Sequence, residues 1–469
     1  MKLITRQTWL VLILIFAFEA LSFASYYYPP LKLISGVCLA IFAFVIAWRN
    51  LEFGLLILFV ELIIGSKGHL LELSFVSGRM LIFATVMSAY IFKLFRKEER
   101  VKLLAAWVEF KSKKPLVALA FFIAASLIIA LAGSTKWTDI FADFNSWLFF
   151  LIIFPVTAVY FQAKQEVYNR LVVITTAAFL WLGLETFIIL YLYSHNIPVI
   201  SDVYFWLRKT GVAEITATLN GFPRIFLQSQ IYAAVLILIT TFSIKSKNKS
   251  IWVITSLAWG VIFLSMSRSF WLGLLACLLL GLIISWKQIV KNLLFIIPTA
   301  SLGAILIFLV VIFPIPKAGS FSLDSFAGRL NTGEAAVASR WSLLPVLAEE
   351  IKQSPILGKG FGYSVTYQSS DPRVLANNPS GEYNTYAFEW GYLALWLKLG
   401  ILGLISYLWL LAQNVIIGFK QKNFLFLSLV LIGLIQVFTP YLDHPLGIAL
   451  VVLIIVLTES CLKLENNVY

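Results

Sequence analysis

The chain has 469 residues, 60% of them hydrophobic and only 13% charged, and its 36 Lys and Arg against 23 Asp and Glu leave it at +13. Apolar runs of bilayer-crossing length recur from end to end, which excludes an ordinary soluble globular protein. The positive charge falls in short loops, the pattern that orients membrane helices, and argues against a nucleic-acid partner. Because a helix satisfies its own backbone hydrogen bonds in lipid, the composition predicts an all-α polytopic membrane protein.

At the N-terminus, Lys2 and Arg6 precede "TWLVLILIFAFEALSFASYY". The stretch has the look of a signal peptide ending near Ala24, but Glu19 inside it and the many spans that follow favour an uncleaved first helix. Cys38, Cys277 and Cys461 lie in apolar segments, with neither metal-like spacing nor a disulfide framework. Apolar runs between breakers predict about 12–14 transmembrane helices. The full count has fourteen centres, near residues 17, 40, 58, 86, 124, 153, 182, 234, 258, 277, 302, 399, 432 and 453. One run needs dividing. Ile251 to Trp286 is 36 residues long with Arg268 its only charge, and as one helix it would reach about 54 Å across a core of about 30 Å. It must turn back on itself, with Ser265 to Ser269 at the apex.

Positive charge then assigns sides. Lys93 to Lys114 holds eight Lys or Arg, "KSKNK" at 245–249 holds three, and Lys287, Lys291, Lys420 and Lys422 mark two more loops. The fourteen-span count places all of these, with both termini, on one side, read as cytoplasmic. Outside are a smaller loop at 194–224, the Arg268 apex and a large loop at 314–386. The organisation expected is residues 1–313 with eleven helices, an external loop at 314–386 carrying short helices, and residues 387–469 with three more. Irregular loops on a helical scaffold are where function is expected.

Four arginines map to that outer side: Arg224 in "NGFPRIFLQSQ", Arg268 in "SMSRSFW", and Arg329 and Arg340 in "FAGRLNTGEAAVASRW". Any one could cap a helix, pair with a carboxylate or snorkel to headgroups. Several on one face suit a lipid diphosphate, which the planar guanidinium fork grips bidentately. Glu19, Glu61 and Glu185 fall inside spans, consistent with a hydrated cavity or with pairing to a neighbour such as Arg79.

Within the large loop, Trp341, Leu344, Leu347 and Ile351 recur at helical spacing, with Ser339 as N-cap and Pro345 as a bend, and predict an amphipathic helix at the mouth of the bundle. The alternating Gly358, Gly360 and Gly362 of "SPILGKGFGY" suit a tight turn, or an anion loop, though neither phosphate-binding glycine fingerprint is present. His69, His195 and His444 are the histidines. Histidine suits general base work near neutral pH, and the adjacent Asp443 and His444 read as a catalytic pair or as a cap before Pro445.

Taken together, "SRSFWLGL", "SRWSLLPVLAEEIKQSPILGKGFG" and "EWGYLALWLKLGILGL", with "GFPRIFLQSQ" upstream, resemble the O-antigen ligase and O-antigen polymerase superfamily in order and spacing. The resemblance covers about residues 250–410 plus 221–230. It implies an all-helical membrane glycosyltransferase at the external face of the bacterial inner membrane. The implied reaction moves a glycan from undecaprenyl diphosphate to a hydroxyl on a glycan or lipid acceptor, with no nucleotide-sugar, other cofactor or metal. By resemblance, Arg224 and Arg268 bind the diphosphate with Arg340 assisting, and Arg329 is a further candidate.

Where members of that family often have His-Asn before the "GILG" turn, this chain has Glu389 and Trp390. Glu389 thereby becomes the candidate base, with His444 behind it, since a carboxylate can also accept a hydroxyl proton. The span count and the external basic residues would also suit a lipid-linked oligosaccharide flippase. The repeated halves expected of such a transporter are not visible.

Overall fold

The computed structural model describes residues 4–73, 76–161, 163–217, 222–244, 248–314 and 335–466. From the N-terminus, α1 (Arg6–Tyr27), α2 (Pro29–Arg49) and α3 (Leu51–Ile64) lead to a hairpin of β1 (Glu72–Leu73) and β2 (Val76–Ser77). Next come α4 (Gly78–Leu94), α5 (Lys97–Glu109), α6 (Lys113–Ala132) and α7 (Trp137–Phe144), the last continued by a 3-10 turn, Asn145–Ile152, into α8 (Ile153–Tyr160). After α9 (Gln165–Ser194) and α10 (Ile200–Thr210), β3 (Glu214–Ala217) pairs with β4 (Pro223–Phe226). Then follow α11 (Ile231–Leu238), α12 (Lys249–Ser265), α13 (Arg268–Ile284) and α14 (Ile289–Ile312). The remainder is α15 (Ala335–Gln353), β5 (Val365–Gln368), α16 (Pro372–Asn377), β6 (Glu382–Thr385), α17 (Gly391–Lys420), α18 (Phe426–Ile435) and α19 (Pro445–Asn466).

All fourteen expected span centres fall in helices. Among the described residues, seven helical segments are long and apolar enough to cross a membrane: α1, α2, α6, residues 137–160, α9, residues 286–312 and α17. The chain is therefore an all-α polytopic membrane protein. The other centres fall in helices outside that group, α12 and α13 being 17 residues each. Three two-stranded antiparallel hairpins, β1–β2, β3–β4 and β5–β6, add strand structure that the hydropathy pattern did not anticipate.

Contacts divide the chain into two compact units, each built from two stretches: residues 1–106 with 154–328, and residues 107–153 with 329–469. In the first, α9 is central and packs on α1, α3 and α12, while α2 lies on α4 and α12 on α14. Its helix starts follow local chemistry: the Asn50, Ser77 and Asn248 side chains accept N–H groups of the first turns of α3, α4 and α12.

The three intramembrane glutamates of this unit are all buried, at 3–5% exposure, rather than facing a wet channel. Arg79 donates to Glu61 through Nε at 2.7 Å and Nη2 at 3.3 Å, as the pairing alternative expected. Glu19 accepts from the Trp181 indole at 2.7 Å. The two Glu185 oxygens have no hydrogen-bond partner among the described residues.

In the second unit α6 runs along α17, α19 packs on the 3-10 turn at Asn145–Ile152, and α15 packs on β5 and α17. The first N–H groups near α6 have no side-chain cap of their own. Glu459 of α19 supplies one, accepting from the backbone N–H groups of Lys111 and Ser112 at 2.6 and 2.9 Å. Two expectations about α15 need correction. It begins at Ala335, so Ser339 lies inside it and is not its N-cap; the Ser339 hydroxyl instead bonds that of Ser369 at 2.7 Å. Its buried face is Leu343, Leu347 and Ile351, spaced four apart, which leaves Trp341 60% exposed.

Candidate functional site

Charged groups that sequence singled out sit in both units. In the first, α12 stops at Ser265, Met266 takes a left-handed conformation (φ 45°), Ser267 is extended, and α13 starts at Arg268. The 36-residue run is thus a hairpin with the apex where length arithmetic requires it. Serines wire that apex: the Ser267 N–H donates to the Ser265 hydroxyl at 3.2 Å, and the Ser267 and Ser269 hydroxyls lie 3.1 Å apart. The Trp271 indole N–H returns to the Ile262 carbonyl at 3.0 Å, tying α13 to α12.

Arg224 comes to the same apex from β4. Its Nε donates to the Ser265 carbonyl oxygen at 3.0 Å, and its guanidinium lies 4.7 Å from the centre of the Phe226 ring. Phe226 in turn meets Phe270, in the first turn of α13, at 5.9 Å between centroids. Two arginines 44 positions apart are so gathered at one hairpin tip, each of intermediate exposure. The first turn of α13 contains no acidic residue. A guanidinium there sits at the positive end of the helix dipole, a poor place for a cation and a good one for an anion to neutralise.

In the second unit Arg340 of α15 donates through Nε to Glu389 Oε2, just before α17. The pair is accessible, at 37% and 53% side-chain exposure. Trp390 fixes the junction, its indole N–H donating to the Arg340 carbonyl at 2.8 Å. Arg329 lies outside the described residues. His444 is half-buried, and its Nδ1 accepts the Leu446 N–H at 3.3 Å, which caps the start of α19 as one of the two readings of "DHP" expected. His195 is buried with Nε2 2.6 Å from the Pro314 carbonyl, and His69 Nδ1 lies 2.7 Å from Glu72 Oε1.

Next to Phe388, the residue before Glu389, lies a buried charge network of which sequence reasoning named only Asp443. Lys398, 2% exposed, donates to Asp143 Oδ1 at 2.7 Å and lies 3.8 Å from Asp443 Oδ2. Its ammonium also sits 5.7 Å from the ring centre of Phe388, the residue before Glu389. Burial pushes the Asp443 carboxyl above its ordinary value, and Lys398 pulls against that. The second Asp143 oxygen accepts the Gly362 N–H at 2.9 Å.

That last bond brings in the glycine loop. Gly358, Gly360 and Gly362 all have positive φ, between 73° and 86°. The loop inserts where α17 is interrupted at Gly400 (φ 71°, ψ 174°), a conformation open essentially to glycine alone. Lys359 and Gly360 donate their N–H groups to the Leu397 and Lys398 carbonyls at 2.6 and 3.2 Å, and Ile401 N–H donates to the Pro355 carbonyl at 2.9 Å. A helix interruption would leave those carbonyls orphaned in an apolar setting; the loop satisfies them. The N–H groups of Gly358, Lys359, Gly360 and Gly362 are thereby committed to protein acceptors, which favours the tight-turn reading over the anion loop.

Among the described residues no group of three or more His, Cys, Asp or Glu side chains is placed to hold a metal ion. No curated protein and no solved structure matches the chain. A family model described as O-antigen ligase matches residues 253–408, a segment that begins in α12, includes the Arg268 apex, Arg340, the glycine loop and Glu389, and ends within α17. Over that segment the chain is similar to the O-antigen ligase family.

Proposed function

We propose that the protein transfers or polymerises a glycan from an undecaprenyl-diphosphate donor onto an acceptor hydroxyl at the external face of the inner membrane. The observation that carries this reading is that the O-antigen ligase segment contains both the Arg268 apex and the accessible Arg340–Glu389 pair. In this reading the acceptor oxygen attacks the anomeric carbon. The bond from that carbon to the diphosphate oxygen breaks, its electron pair leaves with the diphosphate, and the hydroxyl proton passes to the Glu389 carboxylate.

Arg268 and Arg224 neutralise the charge that builds on the departing diphosphate, the kind of stabilisation that is usually the largest catalytic contribution. Arg224 is held ready for this by the Ser265 carbonyl. The pairing of Arg340 with Glu389 supports a positioning role toward the base, beside or in place of a diphosphate contact. Glu389 is preferred to His444 because His444 Nδ1 already serves the α19 cap.

The test is reconstitution of the full chain in proteoliposomes with a lipid-linked repeat unit. Chain lengthening or transfer to a lipid acceptor is expected, and Arg268→Ala should abolish it while expression is unchanged. Movement of the donor across the bilayer with no new glycosidic bond would overturn the reading in favour of a flippase.

A further inference from the structure

Three aromatic side chains from three separate segments of the second unit form a chain of ring contacts that begins beside the Arg340–Glu389 pair. Trp341 of α15 meets Trp390 edge to face at 5.5 Å between centroids, and Trp390 meets Phe438, which follows α18, at 5.7 Å. Trp341 is 60% and Phe438 41% exposed, large apolar faces left open on either side of the more buried Trp390. Trp390 packs against the core that holds Leu343, Leu347 and Ile351, and Trp341 and Phe438 stand outside it.

Such rings could anchor the protein at the bilayer interface, where Trp is common because its ring is apolar and its N–H seeks headgroups. Two observations favour a different occupant. The Trp390 N–H is spent inside the protein, on the Arg340 carbonyl, so its ring is oriented by the fold. An accessible guanidinium–carboxylate pair adjoins the row, and lipid tails are a poor environment for it. Aromatic faces beside a fixed fork of donors and a carboxylate acceptor match the surface of a pyranose. Its C–H face carries partial positive charge toward the electron-rich ring face, and its hydroxyls accept from Arg and donate to Glu.

We propose that Trp341, Trp390 and Phe438 form a carbohydrate platform that holds the acceptor end of a glycan chain, with the Arg340–Glu389 pair hydrogen-bonding the hydroxyls of the sugar stacked there. This deepens the glycan-transfer reading and rests on it for the identity of the sugar as acceptor. The contribution of ring stacking, up to about 1.4 kcal/mol by a tenfold change in affinity, sets the size of the effect.

The test uses the full chain in nanodiscs and the free oligosaccharide released by mild acid from the host's own lipid-linked glycan, with maltohexaose as control. Binding is read by saturation-transfer difference NMR. Trp341→Ala and Phe438→Ala should each weaken binding about tenfold, and Trp341→Phe, which keeps a ring, should stay within about threefold of wild type. Both positions are exposed, so folding should survive, and thermal midpoints check this.

Unchanged oligosaccharide binding in both alanine variants overturns the proposal. So does a pattern in which sugar binding is kept and the midpoint falls only in bilayers, since the rings are then membrane anchors. The two readings fail separately. Glycan transfer with the same acceptor KM in Trp341→Ala removes the platform and leaves the transferase. Ring-dependent sugar binding by a protein that never turns over a lipid-linked donor removes the transferase and leaves a binding platform.

Discussion

Lys398 and Asp143, 255 positions apart, form a hydrogen-bonded ion pair at 2.7 Å in which both side chains are at most 8% exposed. Each also holds a further part of the second unit: Asp143 accepts the Gly362 N–H, and Lys398 lies between Asp443 and the Phe388 ring. The pair therefore connects α7, the glycine loop, α17 and the segment that carries Glu389.

Removing one partner of a buried pair leaves the other charge uncompensated, at a cost of about 3–5 kcal/mol. Lys398→Met is expected to lower the thermal midpoint sharply and to reduce the monodisperse fraction in fluorescence-detected size exclusion. Adding Asp143→Asn, which keeps an acceptor for Gly362, should recover part of the loss. A double variant no better than the single one would mean that the pair acts through something other than charge balance.

Gly400 permits the second device of that unit. Its φ of 71° with ψ 174° is unavailable to other residues, and a Cβ there would collide with the Ile356 carbonyl. Gly400→Ala should cost about 3 kcal/mol or more and free the 354–362 loop to protease. Limited proteolysis checks it: cutting at Lys359 should quicken relative to wild type, and an unchanged rate would show that the loop is held by other contacts.

What the residues revealed in advance divides along physical lines. Helix positions were legible, because lipid demands long apolar runs and leaves little else to choose, and the Arg268 hairpin followed from length alone. The same signal was present at Lys398, which is the only charge between Gly391 and Phe419, yet the partners of a buried charge lie in other helices and no spacing names Asp143. The break at Gly400 is invisible to hydropathy, which averages over a residue whose φ is positive, and only the family resemblance marks a turn at "GILG". In α15 the apolar pattern was sound but its phase was not. Helical spacing groups Trp341 with Leu344, whereas the buried row runs through Leu343, and the ring left outside is the one next to Arg340 and Glu389.

Glu72, in the β1–β2 hairpin, gives a pH prediction. Against the cost of its partial burial, Lys32 and His69 hold its carboxyl below the usual value of 4.5. A carboxyl with a depressed folded-state value contributes stability above its unfolded value and loses it as pH falls through the folded one. The hairpin should thus weaken progressively as the medium is acidified below about 4.5, the unfolded reference. Thermal midpoints of wild type and Glu72→Gln should differ at neutral pH and converge in acid. A constant difference across the range would remove the carboxyl as its source.

Glu389 distinguishes chemistry from architecture most cleanly, because its pairing with Arg340 is accessible and such pairs are worth about 0–1 kcal/mol. Glu389→Gln keeps size and one hydrogen-bond acceptor while abolishing the base. If the carboxylate takes the acceptor proton, transfer in proteoliposomes should fall by about 10²- to 10⁴-fold with little change in thermal midpoint, and Glu389→Asp should retain part of it. Arg340→Gln should lower kcat by less, since it removes the group that orients the base and leaves the base itself. Near-normal turnover in Glu389→Gln would dismiss Glu389 as base, and His444→Gln then becomes the variant to measure, its Nδ1 being tied to the α19 cap while Nε2 remains to be tested by its effect on kcat.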